Sequence, residues 1–138
     1  MLHGKINANF KFTKPEPLLI KLPNPNGIWL LVRELSLNEE QKTQGGVTLY
    51  LGTDIAQDPS NELTIGYVEE VGSLAYTHEK FKGVPFCKKG DYILYGRFQG
   101  TDFMLKDEKI KFLADDKPLM TFTEQELIDL EILNKETN

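Results

Sequence analysis

Two histidines, one cysteine and a pair of adjacent aspartates are the side chains from which an active centre could be assembled. His3 stands near the start of the chain and His78 in a polar stretch, YTHEK. Neither has a cysteine, a carboxylate or a second histidine at metal-ligand spacing, so no zinc or iron set emerges. Cys87 precedes Lys88 and Lys89, whose charges could lower its pKa. No motif ties a histidine to it, and a half-buried cysteine at a strand start is the simpler reading. Asp115-Asp116, followed by Lys117-Pro118, reads as a solvated turn rather than as paired catalytic carboxylates. Gly90, Gly96 and Gly100 have neither the G-x-G-x-x-G nor the P-loop spacing that cradles phosphate. Arg97-Phe98 would suit an aromatic-basic contact with nucleic acid. Two residues do not make such a surface in a chain of net charge −5 and pI near 5.1. These residues point away from an enzyme.

The elements around them are short. Residues 28–32 (IWLLV) form a continuous apolar run, as expected of a strand buried on both faces. Residues 64–71 (TIGYVEEV) and 92–95 (YILY) are further strand candidates, and 103–105 with 110–113 flank KDEK as a hairpin pair. Residues 18–22 run into PNPNG, a turn. Strands at this spacing predict an all-β fold, a small barrel or sandwich. Thr123 with Glu126 is a capping-box pattern, yet Ile128, Leu130 and Ile132 alternate with Asp129 and Glu131. The compromise is one helical turn over 123–127 and a strand to residue 133.

A chain of 138 residues suffices for one core without metals or disulfides. The lone Cys87 suits a reducing compartment. No apolar run approaches the ~20 residues that span a bilayer. The first residues lack the marks of a leader, so a cytoplasmic location and no membrane partner are expected. Residues 1–24 form a separate block with four Lys and one Glu, either an added strand or a loosely attached arm, and residues 25–138 form the main domain.

One stretch fits none of this easily. KTQGGVTLYLGT, residues 42–53, places Val47, Leu49 and Leu51 beside Gly45-Gly46 in polar surroundings. On its own it reads as a barrel strand entered through a Gly-Gly turn.

Residues 84–105, VPFCKKGDYILYGRFQGTDFML, resemble the GroES-type co-chaperonin family and its V-K-x-G-D-x-V-L-Y-G-x-Y-x-G-T-E-V-like segment. Lys89-Gly90-Asp91, Tyr95-Gly96, Phe98 and Gly100-Thr101-Asp102 follow that pattern in order and spacing. The run from Leu30 through Arg33 resembles the end of the family's first core strand. The run from Gly66 through Gly72 resembles its G-x-V-x-A-V-G strand, and residues 123–128 (TEQELI) its S-E-x-D-I-L segment. Lys42, Gly45 and Gly46 match the K-x-x-G-G of the family's mobile loop, with Val47-Thr48-Leu49 in place of its apolar tripeptide. The resemblance covers residues 25–133. Departures include Pro25-Asn26-Gly27-Ile28-Trp29 where P-L-x-D-R is usual, Thr48 in the tripeptide, and an insertion at 114–120. The stretch 72–78 occupies the roof-hairpin position without its usual sequence. They point to a divergent member, with a virus-encoded co-chaperonin serving a bacterial host as one origin.

The resemblance implies a small GroES-like β-barrel with a mobile loop at about 39–62 and a roof hairpin, assembling as a seven-membered ring. It implies chaperonin binding through Gly45, Gly46, Val47, Thr48, Leu49, Tyr50 and Leu51. Subunit contacts are implied at Leu30, Leu31 and Val32 and at Ile128, Leu130 and Ile132. It further implies a GroEL-type chaperonin partner that binds the ATP, client proteins enclosed beneath the ring, and no catalysis, metal or cofactor on this chain. The competing reading is a non-catalytic, structural or assembly β-barrel, viral in one version, that keeps the fold but binds another partner.

Overall fold

The computed structural model describes residues 11–37, 49–50 and 62–134, with the backbone alone at Leu49 and Tyr50. Among these residues lie seven strands: β1 (Trp29–Glu34), β2 (Leu49–Tyr50), β3 (Glu62–Val71), β4 (Tyr92–Gly96), β5 (Thr101–Leu105), β6 (Glu108–Ala114) and β7 (Met120–Phe122). One short α-helix, α1 (Glu124–Asp129), follows them. The strands form one sheet in the order β5-β6-β1-β3-β4-β7, with β2 beside β3, and each ladder is antiparallel. The fold is all-β and GroES-like, as expected, and no ladder joins β5 to β7 among the described residues.

The turn residues make the local geometry. KDEK closes the β5–β6 hairpin with Lys106 and Asp107 at φ of 46° and 73°, the left-handed pair that a two-residue hairpin turn requires. Gly90, at φ 95°, completes the turn into β4, and the Asp91 carboxylate accepts a hydrogen bond from the Lys88 N–H at 2.9 Å.

Close packing across the sheet depends on Gly66. It lies in β3 between β1 and β4, and a Cβ there would sit 2.5 Å from Val32 Cγ1 and 2.8 Å from Tyr95 Cε1. With no side chain in the way, residues of the two flanking strands meet over β3. The concave face they enclose holds Leu30, Val32, Val68, Ile93, Tyr95 and Leu113, all buried. Each such aliphatic side chain withdrawn from water contributes roughly 1.5–3 kcal/mol.

Residues 72–91 close this face, and here the structure departs from the family pattern. They carry turns and a short 3-10 segment, Glu79–Phe81, and no strand, so the expected roof hairpin is absent from them. The segment is fixed by aromatic contact. Tyr76, Phe81 and Phe86 pack as a trio with ring centroids 4.9–5.3 Å apart, geometry worth about 0.5–1.5 kcal/mol per pair beyond burial. Asp115 anchors it, its carboxylate accepting the Tyr76 N–H at 2.9 Å. The aspartate pair is therefore split: Asp115 is 3% exposed and structural, whereas Asp116 meets Lys80 at the surface at 3.1 Å. The solvated turn expected for both holds only for Asp116.

Cys87 packs under the same segment, with Sγ 3.5 Å from the Tyr76 hydroxyl. Burial pushes its thiol up to about 11 and outweighs Lys88, whose lowering effect is the smallest of the named influences. The neighbouring lysines do not activate it.

The outer face of the sheet is also covered. Ile65 and Tyr92 pack with Leu127 and Leu133, while Leu31 and Ile110 pack with Leu22. Residues 11–24 are therefore applied to the body rather than loosely attached. Phe12 forms isolated bridges to Leu37 and Leu133, and its N–H donates to the Ile132 carbonyl at 2.9 Å.

The strand expected over 128–133 does not form. The capping box does, with Glu126 N–H donating to Thr123 Oγ1 at 3.1 Å and Thr123 N–H to Glu126 Oε1 at 2.8 Å. It starts a helix that continues through Asp129. Glu131, at φ 61°, then turns the chain back so that the Ile132 and Leu133 N–H groups both reach the Leu127 carbonyl. Period-two alternation failed because no described strand stands beside this segment to accept it, whereas Leu127 and Leu133 bury fully once the helix folds back.

Two outcomes test this packing. Gly66→Ala should destabilise the fold by about 1–3 kcal/mol through overpacking, read as a lower urea midpoint; an unchanged midpoint would show that this position tolerates a side chain. Cys87 should resist a thiol-specific reagent at pH 8 in the native protein and react at least about a hundredfold faster in denaturant. Rapid native labelling would contradict its burial.

Candidate functional site

No catalytic constellation assembles among the described residues. His78 Nδ1 accepts the Lys80 N–H at 2.9 Å and so caps the 3-10 segment, and His3 lies outside the described residues. No group of three or more metal-ligating side chains converges among the described residues. Phe98 is 61% exposed, but Arg97 is turned toward carboxylates. The long matching stretch at residues 89–102 is β4 with the turns on either side of it, a scaffold rather than a reactive centre.

The implied subunit contacts separate into two kinds. Leu30, Leu31 and Val32 are buried within this chain, in a strand hydrogen-bonded on both sides, by β3 and by β6. Their side chains offer a neighbour no surface in this structure. Ile128 and Ile132 lie partly buried against the α1 cluster, and Leu130 is 59% exposed. Among the described residues β5 and β7 end the main strand order, and exposed apolar residues lie at both: Met104 at one, Leu119 and Met120 at the other. Trp29, Phe112 and Phe103 form an aromatic row beside β5, with Phe103 and Phe112 stacked at 4.5 Å and Trp29 and Phe112 at 6.3 Å.

Of the residues implied to bind a chaperonin, Gly45, Gly46, Val47, Thr48 and Leu51 lie outside the described residues. Leu49 and Tyr50 form β2, opposite Leu63 and Glu62 at the start of β3. What is well defined is the base of the connection that carries them. It leaves the body after β1 and returns at β3, and the Leu35 N–H bonded to the Ile65 carbonyl at 3.0 Å holds the two ends side by side. Phe12 bridging Leu37 covers the departing end. At the returning end the Arg97 N–H donates to the Glu62 carbonyl at 2.9 Å. The two ends of the 35–61 connection are thus held side by side at the sheet.

Comparison with known proteins agrees with that architecture. The family model described as the chaperonin 10 kd subunit, Cpn10, matches residues 24–121. The co-chaperonin GroES of Lactobacillus acidophilus is 38% identical over 77 residues, which cover 56% of this chain and 76% of the relative. The co-chaperonin GroES of Lactobacillus helveticus is 38% identical over 78 residues, with 56% of this chain and 77% of the relative covered. With the family model spanning well over half of the chain, and the matched region enclosing β1 through β7 almost entirely, this protein belongs to the chaperonin 10 (GroES) family.

Proposed function

We propose that this chain is a co-chaperonin that caps a GroEL-type, ATP-driven chaperonin ring and encloses its folding chamber, without catalysis or a bound cofactor of its own. The observation that carries this is the family match across residues 24–121, within which the K-x-x-G-G-apolar stretch falls in the connection between β1 and β3.

The physics of that stretch suits a lid that must both seal and leave. A glycine has more backbone freedom than any other residue, so docking a stretch that contains Gly45 and Gly46 would carry an ordering cost of ~1–2 kcal/mol for each residue fixed. Burial of Val47 and Leu49 in a partner groove returns ~1.5–3 kcal/mol each. Thr48 between them contributes less than an aliphatic residue would, with Tyr50 and Leu51 following as further apolar contacts. The ladder that β2 makes with β3 is only two residues long, so little is lost if Leu49 and Tyr50 exchange it for contacts with a partner. A single segment therefore binds weakly. Several on one ring act at high effective concentration, and avidity exceeds single-site affinity by ~10²–10⁴. The assembly we propose is the family's seven-membered ring, roughly 110 kDa for chains of 15.8 kDa. The single buried cysteine suits the reducing cytoplasm in which such a partner would work.

Leu49→Asp tests the assignment. It should abolish nucleotide-dependent co-elution with a chaperonin ring while leaving the oligomer, measured by light scattering, unchanged. A variant that still caps the ring would remove residues 45–51 from the contact, and a monomeric wild type with no chaperonin binding would favour an assembly protein with another partner.

A further inference from the structure

Two carboxylates stand at the base of the β1–β3 connection. Glu34 is the last residue of β1 and Glu62 the first of β3. Because the strands are antiparallel neighbours, with Glu34 opposite Gly66, both acids reach the same place. Left alone they would repel and push the two ends of the connection apart. Arg97 enters between them from the β4–β5 turn. Its Nη1 lies 3.1 Å from Glu62 Oε2 and its Nε 3.4 Å from Glu34 Oε2. Thr64 Oγ1 donates to the same Glu34 oxygen at 3.4 Å. The guanidinium fork can engage two partners along different directions, which an ammonium point charge does less well.

The turn that carries Arg97 is held from beneath. Lys111, buried in β6, donates its ammonium protons to the Arg97 carbonyl at 3.1 Å and the Gln99 carbonyl at 2.7 Å, with Asp102 Oδ1 at 3.5 Å. A buried ammonium that satisfies two backbone carbonyls fixes the turn more firmly than a solvated lysine would. Mechanical continuity therefore runs from β6 through Lys111 to the turn, and through Arg97 to both ends of the connection.

We propose that Arg97 is a positioning residue for partner binding: it ties the departing and returning ends of the 35–61 connection together, and so sets how firmly the apolar segment within it is presented. This rests on the co-chaperonin reading above. The guanidinium is partly solvated, so its effect on any one copy is modest, roughly two- to fivefold. In a multivalent assembly the per-copy losses compound.

Arg97→Met and Glu62→Gln, in the full-length protein, provide the test. Backbone amide exchange at residues 35 and 97, whose N–H groups bond Ile65 and Glu62, should quicken in Arg97→Met, and this readout needs no partner. Competition for a chaperonin ring with nucleotide should show both variants binding at least about tenfold more weakly, with oligomer size intact and Arg97→Lys recovering part of the loss. The double variant should be no weaker than the worse single, as expected of one shared contact. Unchanged exchange overturns the clamp. Faster exchange with unaltered capping overturns its role in presentation. A variant that merely weakens the fold would instead lower the melting temperature and disturb the oligomer, which also counts against the proposal. Failure of the wild type to cap any ring, with exchange behaving as expected, refutes the co-chaperonin reading and the presentation role with it, while leaving the clamp as a structural fact.

Discussion

Val32 and Tyr95 belong to strands that β3 separates, and both crowd the same spot above position 66 of β3, where a Cβ would lie 2.5 Å from one and 2.8 Å from the other. A glycine at this position lets Leu30, Val32, Val68, Ile93, Tyr95 and Leu113 share one buried cluster on that face of the sheet. Residues 72–91, which contribute no strand, can then seal the face with Tyr76, Phe81 and Cys87. Pairing with β3 on one side and β6 on the other sets β1 inside the sheet.

Most of the framework was legible in the sequence because its signals are local. Gly90, Gly96 and Gly100 punctuate β4 and the turn after it, KDEK contains its own hairpin turn, and the Thr123–Glu126 capping box marked the start of α1 to the residue. What escaped depended on partners distant in sequence. The alternation of Ile128, Leu130 and Ile132 had the pattern of a strand, but no strand among the described residues pairs with it. Asp115 looked solvated beside Lys117-Pro118 because nothing nearby reveals that Tyr76 will present it a buried N–H. For Cys87 the simpler reading held, since burial outweighs the adjacent lysine, but the Tyr76 hydroxyl beside it could not be foreseen.

The candidate site shows the same division. The Gly-Gly-apolar stretch could be picked out as unusual from its residues alone, and the family resemblance gave it a purpose. Its supporting base could not. Glu34, Glu62 and Arg97 are scattered along the chain, and Arg97 drew attention first as a nucleic-acid contact, because a lone arginine beside a phenylalanine carries no sign of which acids it will meet. Such side chains become recognisable only once antiparallel pairing has brought the strand ends together.

The central place of β1 also bears on how the chain reaches its fold. The β3–β4 and β5–β6 ladders join stretches that are close in sequence, but Trp29 must find Ala114, roughly 85 residues away, before β1 is flanked on both sides. Closing that long loop carries an entropic cost that local hairpins do not face. The order this favours is hairpins first and the first strand last, so a newly made chain holds Leu30, Leu31 and Val32 unburied until its final strands exist. During that interval, this protein resembles the unfolded chains that a chaperonin receives.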